Sequence, residues 1–542
     1  MKKLLALMLA VFMLVALVAV IASCENGPEP EKTTAATTAG TQPSSTGSAT
    51  PSGSDDKEPT QGGDTPATTE PTQGGNTPTE PATTTQGGTT PSGDTGDGYS
   101  KPAGYLDVDF GGRTFNFVTT EDYSDGEGRW NTASEIAVDS RTGGTIIETA
   151  VYDRNATMKK LYNCEIKATE GDAGTLIQND VNSGTNEYDF SSGEYRAFGT
   201  NTNGYYINLY NLDLDFNLPG WNKTFFDEMT VRDSNGVDKL YVFDGDFNVI
   251  GYKGTWVLYC NLDLYNQNFT ENIFDLVKNG EWTIDKMTEM VSAVMQDNGD
   301  QVWKEGDDIF GLMSTTYNPP ALLTSMGVRL VAVDVATHTL STSVDQILAN
   351  NAIEAVNKAG QLYSLGGVYN GSYVTAREQL EAGKTLFMGE VLDVLERMKD
   401  NENLNVTVLP EPLFEAQENP EYKFYVNEKT SWFNISKNAC GGDKEMISDF
   451  LNVFVYHSNK IVYPAFRQTF GSVYCQDERA MEMLDYIIAG RHYDFGYYKQ
   501  VMGQITTMIT NNKNELNRAA NKFKNTLEGY INDLVANMTK SE

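Results

Sequence analysis

The sequence predicts a two-lobed α/β protein held on a long polar stem, and three observations predict it. Strand-like and helix-like segments alternate from about residue 104 onward. That stretch is too long for one ordinary hydrophobic core and suits two lobes. Ahead of it lies a run of Thr, Pro, Gly and Ser with almost no apolar residues.

The first residues set the compartment. Lys2 and Lys3 form a basic start, and Leu4 to Ile21 carry no charge. Ile21-Ala22-Ser23-Cys24 then places small residues just before a cysteine, the pattern of a lipoprotein signal peptide whose cysteine accepts a diacylglyceryl group. A signal peptide over 1–24 and lipidation at Cys24 are therefore expected. The competing reading is an uncleaved anchor, because the apolar run approaches spanning length. Residues 25–103 repeat Glu-Pro-Thr-Gln-Gly-Gly at 58–63 and 70–75. Such a composition buries too little apolar surface to offset its ordering entropy, so a tether is expected. A glycosylated stalk has the same composition.

Asp and Glu number 74 against 40 Lys and Arg, a formal charge of -34. That balance argues against nucleic acid and anionic membrane surfaces as partners. Beyond Cys24, the cysteines Cys164, Cys260, Cys440 and Cys475 permit three full pairings, and none lies near another in sequence. Free thiols are expected, with Cys164 and Cys260 acting as small hydrophobes in strands. His338, His457 and His492 are isolated, so neither a metal site nor a cofactor is expected. The acidic stretch Asn298-Gly299-Asp300 to Asp307 is similar to a calcium loop, but Gln296 holds its first ligand position and Gln301 its sharp-turn glycine.

Asp109 to Val118 reads as a turn leading into a strand, and a helix starts near Thr145 and ends at Asn163. Cys164-Glu165-Ile166 opens the next strand, which completes the unit of a parallel sheet. Tyr241-Val242-Phe243, Trp256 to Tyr259 and Val406 to Leu409 read as short strands. A helix starts at Thr283, its N-cap, with Trp282 and Met287 placed as a hydrophobic staple. Lys444 to His457, Arg479 to Ala489 (stopped by Gly490) and Asn514 to Met538 have helical periodicity.

Several segments, in order, resemble one family. Ala150-Val151-Tyr152-Asp153-Arg154-Asn155 with Leu161 to Ile166 resembles the first helix and second strand of family 1 extracellular solute-binding proteins, sugar-type receptors of ABC importers related in fold to maltose-binding protein. Leu258-Tyr259-Cys260-Asn261 resembles their first crossing strand, and Gly280 to Asp285 their second-lobe helix start. Gly383 to Met388 followed by Val406 to Pro410 resembles the late strand pair, and Gly490 to Tyr497 the C-terminal signature of a clostridial-type branch. The resemblance implies a periplasmic-binding-protein-like fold over 104–542, with an interlobe cleft and crossing strands. Lobe 1 would span about 104–255 plus part of 432–542, and lobe 2 about 256–431 plus the rest. It implies a monomeric, non-enzymatic receptor on the extracytoplasmic face, which closes on a mono- or oligosaccharide and is read by ABC permease subunits.

Sugars offer apolar ring faces and rows of hydroxyls, which aromatic and charged side chains recognise. The candidates lie after strands and at the crossings. Glu121, Asp122 and Trp130 follow the first strand. Glu194, Tyr195 and Arg196 follow Tyr188-Asp189-Phe190, and Tyr195 between its charged neighbours is the first choice. Trp256 and Trp432 sit at the crossings. Each has a plainer reading: the tryptophans as packing between lobes, the acids as solvated or capping groups. Trp221 reads as structural. Two other functions fit parts of the chain, a cell-surface glycan-binding adhesin and an extracellular glycoside hydrolase; the latter needs two carboxylates across the scissile bond. No G-x-S-x-G, H-E-x-x-H or Walker loop is present.

Overall fold

A computed structural model describes residues 108–120, 132–194, 204–349, 351–401, 403–427, 429–475, 478–497 and 500–540. The chain divides into two units, Met1–Gly87 and Gly88–Glu542, and the described residues all belong to the second.

The strands that build its sheets are β1 (Arg113–Thr120), β2 (Cys164–Gly171), β3 (Phe190–Glu194), β4 (Trp256–Asn261), β5 (Phe310–Thr315) and β6 (Val368–Gly371). They continue with β7 (Thr385–Val391), β8 (Val406–Leu409), β9 (Phe424–Tyr425), β10 (Ser431–Ile435) and β11 (Arg491–His492). The helices used below are α1 (Ile146–Tyr162), α2 (Lys223–Met229), α3 (Ile284–Val294), α4 (Asn318–Ser325), α5 (Lys444–His457), α6 (Glu478–Ala489) and α7 (Leu516–Lys540).

Two mixed sheets result. The first runs β10-β3-β1-β2, with β1 parallel to β2 and β3 and with β10 antiparallel to β3. The second runs β6-β5-β7-β4-β8, with β5 parallel to β6 and β7 and with β4 antiparallel to both its neighbours. Both sheets therefore share one order over four strands: second, first and third parallel strand, then an antiparallel strand, beyond which the second sheet adds β8. That antiparallel strand arrives early in the second sheet (β4) and late in the first (β10).

Local chemistry places the elements. Thr145 Oγ1 accepts from the Glu148 amide at 3.1 Å while the Thr145 amide donates to Glu148 Oε2 at 2.7 Å, a reciprocal cap that starts α1. Asn163 ends it in the left-handed region at φ 53°. Thr283 caps α3 by accepting from the Lys286 amide, and Trp282 and Met287 are both fully buried. The first sheet packs on α5 through rings: Phe450 stacks on Phe115 at 3.7 Å, and Phe117 and Phe190 lie beside it. All residues of β4 are buried.

Tyr241-Val242-Phe243 is not a strand. Its pairing is a single antiparallel bridge from Phe243 to Phe433, because the Asn434 side chain takes the Tyr241 carbonyl at 2.7 Å and interrupts the ladder. Gly490 does follow the end of α6, but its requirement is space. A Cβ there would sit 2.1 Å from the Tyr422 carbonyl oxygen, where β9 runs alongside β11.

Candidate ligand-binding site

The two crossings lie side by side. Thr255 and Val426 form an antiparallel bridge, and the Asn427 amide donates to Gly254 O at 2.8 Å. The Leu392 amide donates to Thr255 O at 2.9 Å, which ties the end of β7 to the same point.

Register then fixes which edges face this junction. Trp256, the first residue of β4, is opposite Val391, the last residue of β7. Ser431, the first residue of β10, is opposite Glu194, the last residue of β3. Each crossing therefore enters its sheet at the carboxyl ends of the parallel strands. Those strand ends border one shared junction, the place where open α/β sheets bind ligands.

Some of the buried polar atoms without a partner lie at or next to these ends, others being spread through the fold. Those at the ends include Thr119 Oγ1 near the end of β1, Thr315 Oγ1 at the end of β5, Trp256 Nε1 at the start of β4 and Glu411 Oε2 just past β8. Such atoms are uncommon in folded proteins and cost about 1–3 kcal/mol each when left unsatisfied. On the second sheet a network holds the rim. Asn318 Nδ2 donates to Glu411 Oε1 at 2.6 Å, and Tyr363 donates to Asn318 Oδ1 at 2.9 Å. Ser314 and Tyr363 share a hydrogen bond of 2.5 Å. Burial lifts the Glu411 carboxyl to about 8, although the Asn318 bond opposes the shift, so at neutral pH it is largely a neutral acid.

The sequence-selected residues fall into two groups. Cys24, Glu121, Asp122, Trp130, Tyr195 and Arg196 lie outside the described residues, and Glu194 is described only as the last backbone position of β3. Trp256 and Trp432 are 1% and 3% exposed. Trp256 keeps an indole N–H without a partner, whereas the Trp432 ring packs edge-on against Phe225 at 4.7 Å and Tyr493 at 5.8 Å. Trp221 is buried and donates its N–H to Asp215 O at 3.1 Å.

Sequence reasoning missed Thr315, Asn318 and Glu411. One signal was available for Glu411, an acid between two prolines directly after a strand, Pro410-Glu411-Pro412. Cys164, Cys260 and Cys440 are buried free thiols, and burial raises Cys164 and Cys440 to about 12. Cys475 is buried as well. Among the described residues, no group of three or more His, Cys, Asp or Glu is placed to hold a metal ion. None of their helices is long and apolar enough to cross a membrane.

No protein-family model matches the chain, and no curated protein sequence matches it either. Solved structures are similar at low identity. The galacto-N-biose/lacto-N-biose I-binding protein of an ABC transporter from Bifidobacterium longum is 12% identical, with a TM-score of 0.48 over 79% of this chain and 98% of that one. An ABC substrate-binding protein from Listeria monocytogenes, solved with cycloalternan, is 12% identical, with a TM-score of 0.47 over 78% of this chain and 99% of that one. A family 1 extracellular solute-binding protein from Bifidobacterium longum subsp. infantis gives 12% and 0.47 over 77% and 99%. Two of these three are binding proteins of ABC transporters, and the third is a family 1 extracellular solute-binding protein.

Proposed function

We propose that this chain is a lipid-anchored extracytoplasmic receptor, which closes two lobes on a carbohydrate and presents it to the permease subunits of an ABC importer. Cys24 carries the lipid, residues 25–103 supply reach, and the lobes meet near residues 255 and 431. One observation carries the reading: both crossings enter their sheets at carboxyl ends, where four unpartnered buried polar atoms lie. An indole N–H, two threonine hydroxyls and a neutral carboxyl suit an uncharged polyol, which both donates and accepts. A charged ligand would call for a formal countercharge.

Thermal shift against sugars and peptides tests it. A sugar at ~100 times its dissociation constant should stabilise the folded chain by about 2.7 kcal/mol. X-ray scattering should show a smaller radius on binding. Trp256→Phe keeps an aromatic ring and removes the N–H, so affinity of the folded chain should fall, beside the drop in ligand-free melting temperature that shrinking a buried ring brings. If only peptides shift the melting temperature, the carbohydrate assignment fails. If a glycan is cleaved during prolonged incubation, a hydrolase replaces the receptor.

A further inference from the structure

Besides the crossings, a seam of polar contacts joins elements carried by the first sheet to elements carried by the second. On the first side, Phe225 of α2 packs edge-on against Trp432 of β10 at 4.7 Å, and Val231–Arg232 pairs with Asp238–Lys239 as a hairpin. Its neighbours tie that hairpin to β10: the Leu209 amide donates to Leu240 O at 2.8 Å, and the Ile207 amide to Ile435 O at 3.0 Å. On the second side, α4 follows β5, and its Ser325 hydroxyl donates to Pro412 O at 2.8 Å, just past β8. A second hairpin then pairs Ala332–Asp334 with Thr339–Ser341.

The chain also passes between the sides at 493–494. The Tyr493 ring packs edge-on against Phe225 at 5.1 Å, whereas Asp494 Oδ2 accepts the Leu330 amide at 2.8 Å. Next to this passage Arg329 Nη2 donates to Glu228 Oε1 at 2.8 Å. The two hairpins meet as well. The Arg232 amide donates to His338 O at 2.7 Å, and His338 Nδ1 lies 2.9 Å from Asp238 Oδ2, in ion-pair range. The Tyr210 ring stacks along the His338 ring, with centroids 6.4 Å apart. Finally, the Ser234 amide donates to Thr539 Oγ1 at 3.1 Å, at the C-terminal end of α7.

Each acid of the seam has a partner on its own side as well as one across it. Arg232 of the same hairpin holds Asp238 through two bonds of 2.8 and 3.0 Å. That pairing first, and His338 second, keep the Asp238 carboxyl below its ordinary value. Glu228 likewise accepts the Tyr493 amide at 2.8 Å, and His492 Nδ1 lies 2.7 Å from it. Withdrawal of the second side therefore leaves neither carboxylate bare, and separation avoids the penalty of stranding a buried charge. The contacts across the seam are directional and fail beyond ~3.5 Å, so a displacement of a few Å severs them together.

We infer that this seam is a releasable latch, which holds the two sheets in the relative position seen here and lets go when a ligand moves them. The inference rests on the two-lobed receptor proposed above. Thr119, Trp256, Thr315 and Glu411 make none of its contacts, so the latch acts on lobe position and not on the ligand itself.

Pulsed EPR on the full, ligand-free chain tests it. Spin labels go on Thr169→Cys in β2 and on Gln361→Cys, both exposed positions, in a Cys24→Ala background; the other native cysteines are buried. His338→Gly removes the ring and suits a backbone already at φ 53°, and Thr539→Val removes the acceptor for Ser234, so the double variant should fold. The parent should give one narrow distance distribution, and the double variant should raise a displaced population about tenfold, within the range of one such coupling. A double-variant distribution that superimposes on the parent's overturns the latch, and so does a parent already as broad as the double variant. The measurement needs no ligand, so failure of the sugar screen, which would sink the receptor reading, is distinguishable from failure of the latch.

Discussion

The two sheets share a strand order and differ in the charged and titratable groups buried around them. Beside the first, bases lie among rings. Arg154 sits over the Phe454 ring at 4.4 Å, and burial lowers its guanidinium to about 9. His457, bonded to the Tyr162 hydroxyl at 2.9 Å, is pushed down to about 4 by burial and by the Arg154 charge. At the rim of the second sheet an acid is buried instead, Glu411, raised to about 8. The first half thus buries bases of lowered proton affinity beside one raised acid, Glu135 at about 7, whereas the rim of the second holds the raised acid Glu411. Strand order dictates where the chain runs, and each core settles its own polar groups.

The pH dependence of stability should separate the halves. Glu411 has a folded-state value above its ordinary 4.5, so the folded chain keeps a proton that the unfolded chain has released. Its contribution is therefore lost as pH rises from about 4.5 to about 8. Glu411→Gln cannot ionise, keeps an acceptor for Asn318, and should raise stability at pH 8–9 by on the order of 3 kcal/mol relative to the parent. Denaturant unfolding across pH checks this. An unchanged alkaline limb would mean that the carboxyl is already ionised and compensated.

His457 should act on the opposite limb, with a smaller effect. Its folded value lies below the ordinary 6.5, so the unfolded chain binds the extra proton and stability falls as pH drops from about 6.5 to about 4. His457→Gln should flatten that limb by on the order of 2 kcal/mol at pH 4 and leave the alkaline limb alone. If both variants alter both limbs, the halves are coupled and the contrast is lost.

The smallest effect concerns α1, which packs beside the first sheet. Thr145→Ala removes one half of the reciprocal cap and should cost about 1 kcal/mol, with neither pH limb altered. Thermal melts at neutral and acidic pH would show a uniform drop.

That cap was legible in the sequence, because Thr145 and Glu148 are three residues apart. Asn163, Thr283 and β8 were legible for the same local reason, as caps and short apolar runs state their purpose within one turn or strand. Tyr241 to Phe243 misled because apolar extended residues need a partner ladder, and Asn434, far along the chain, interrupts it. Glu411 and Asn318 are 93 residues apart, and Arg329 and His492 are 163 apart. No local period reports such a meeting; only the topology brings these side chains together. The crossing tryptophans were selected because the family resemblance supplied that topology in advance.

The late arrival of β10 has a consequence for biosynthesis. β3 pairs with β1 on one side and with β10 on the other, and Ser431 emerges only after every strand of the second sheet has been made. During chain emergence the first sheet therefore presents β3 as an open edge, a template for pairing with another chain. The second sheet already has β4 in hand when its parallel strands appear, so it can close as it is made. Aggregation during synthesis should begin at the β3 edge, and a chain cut short before residue 431 should aggregate more readily than one cut just after residue 435.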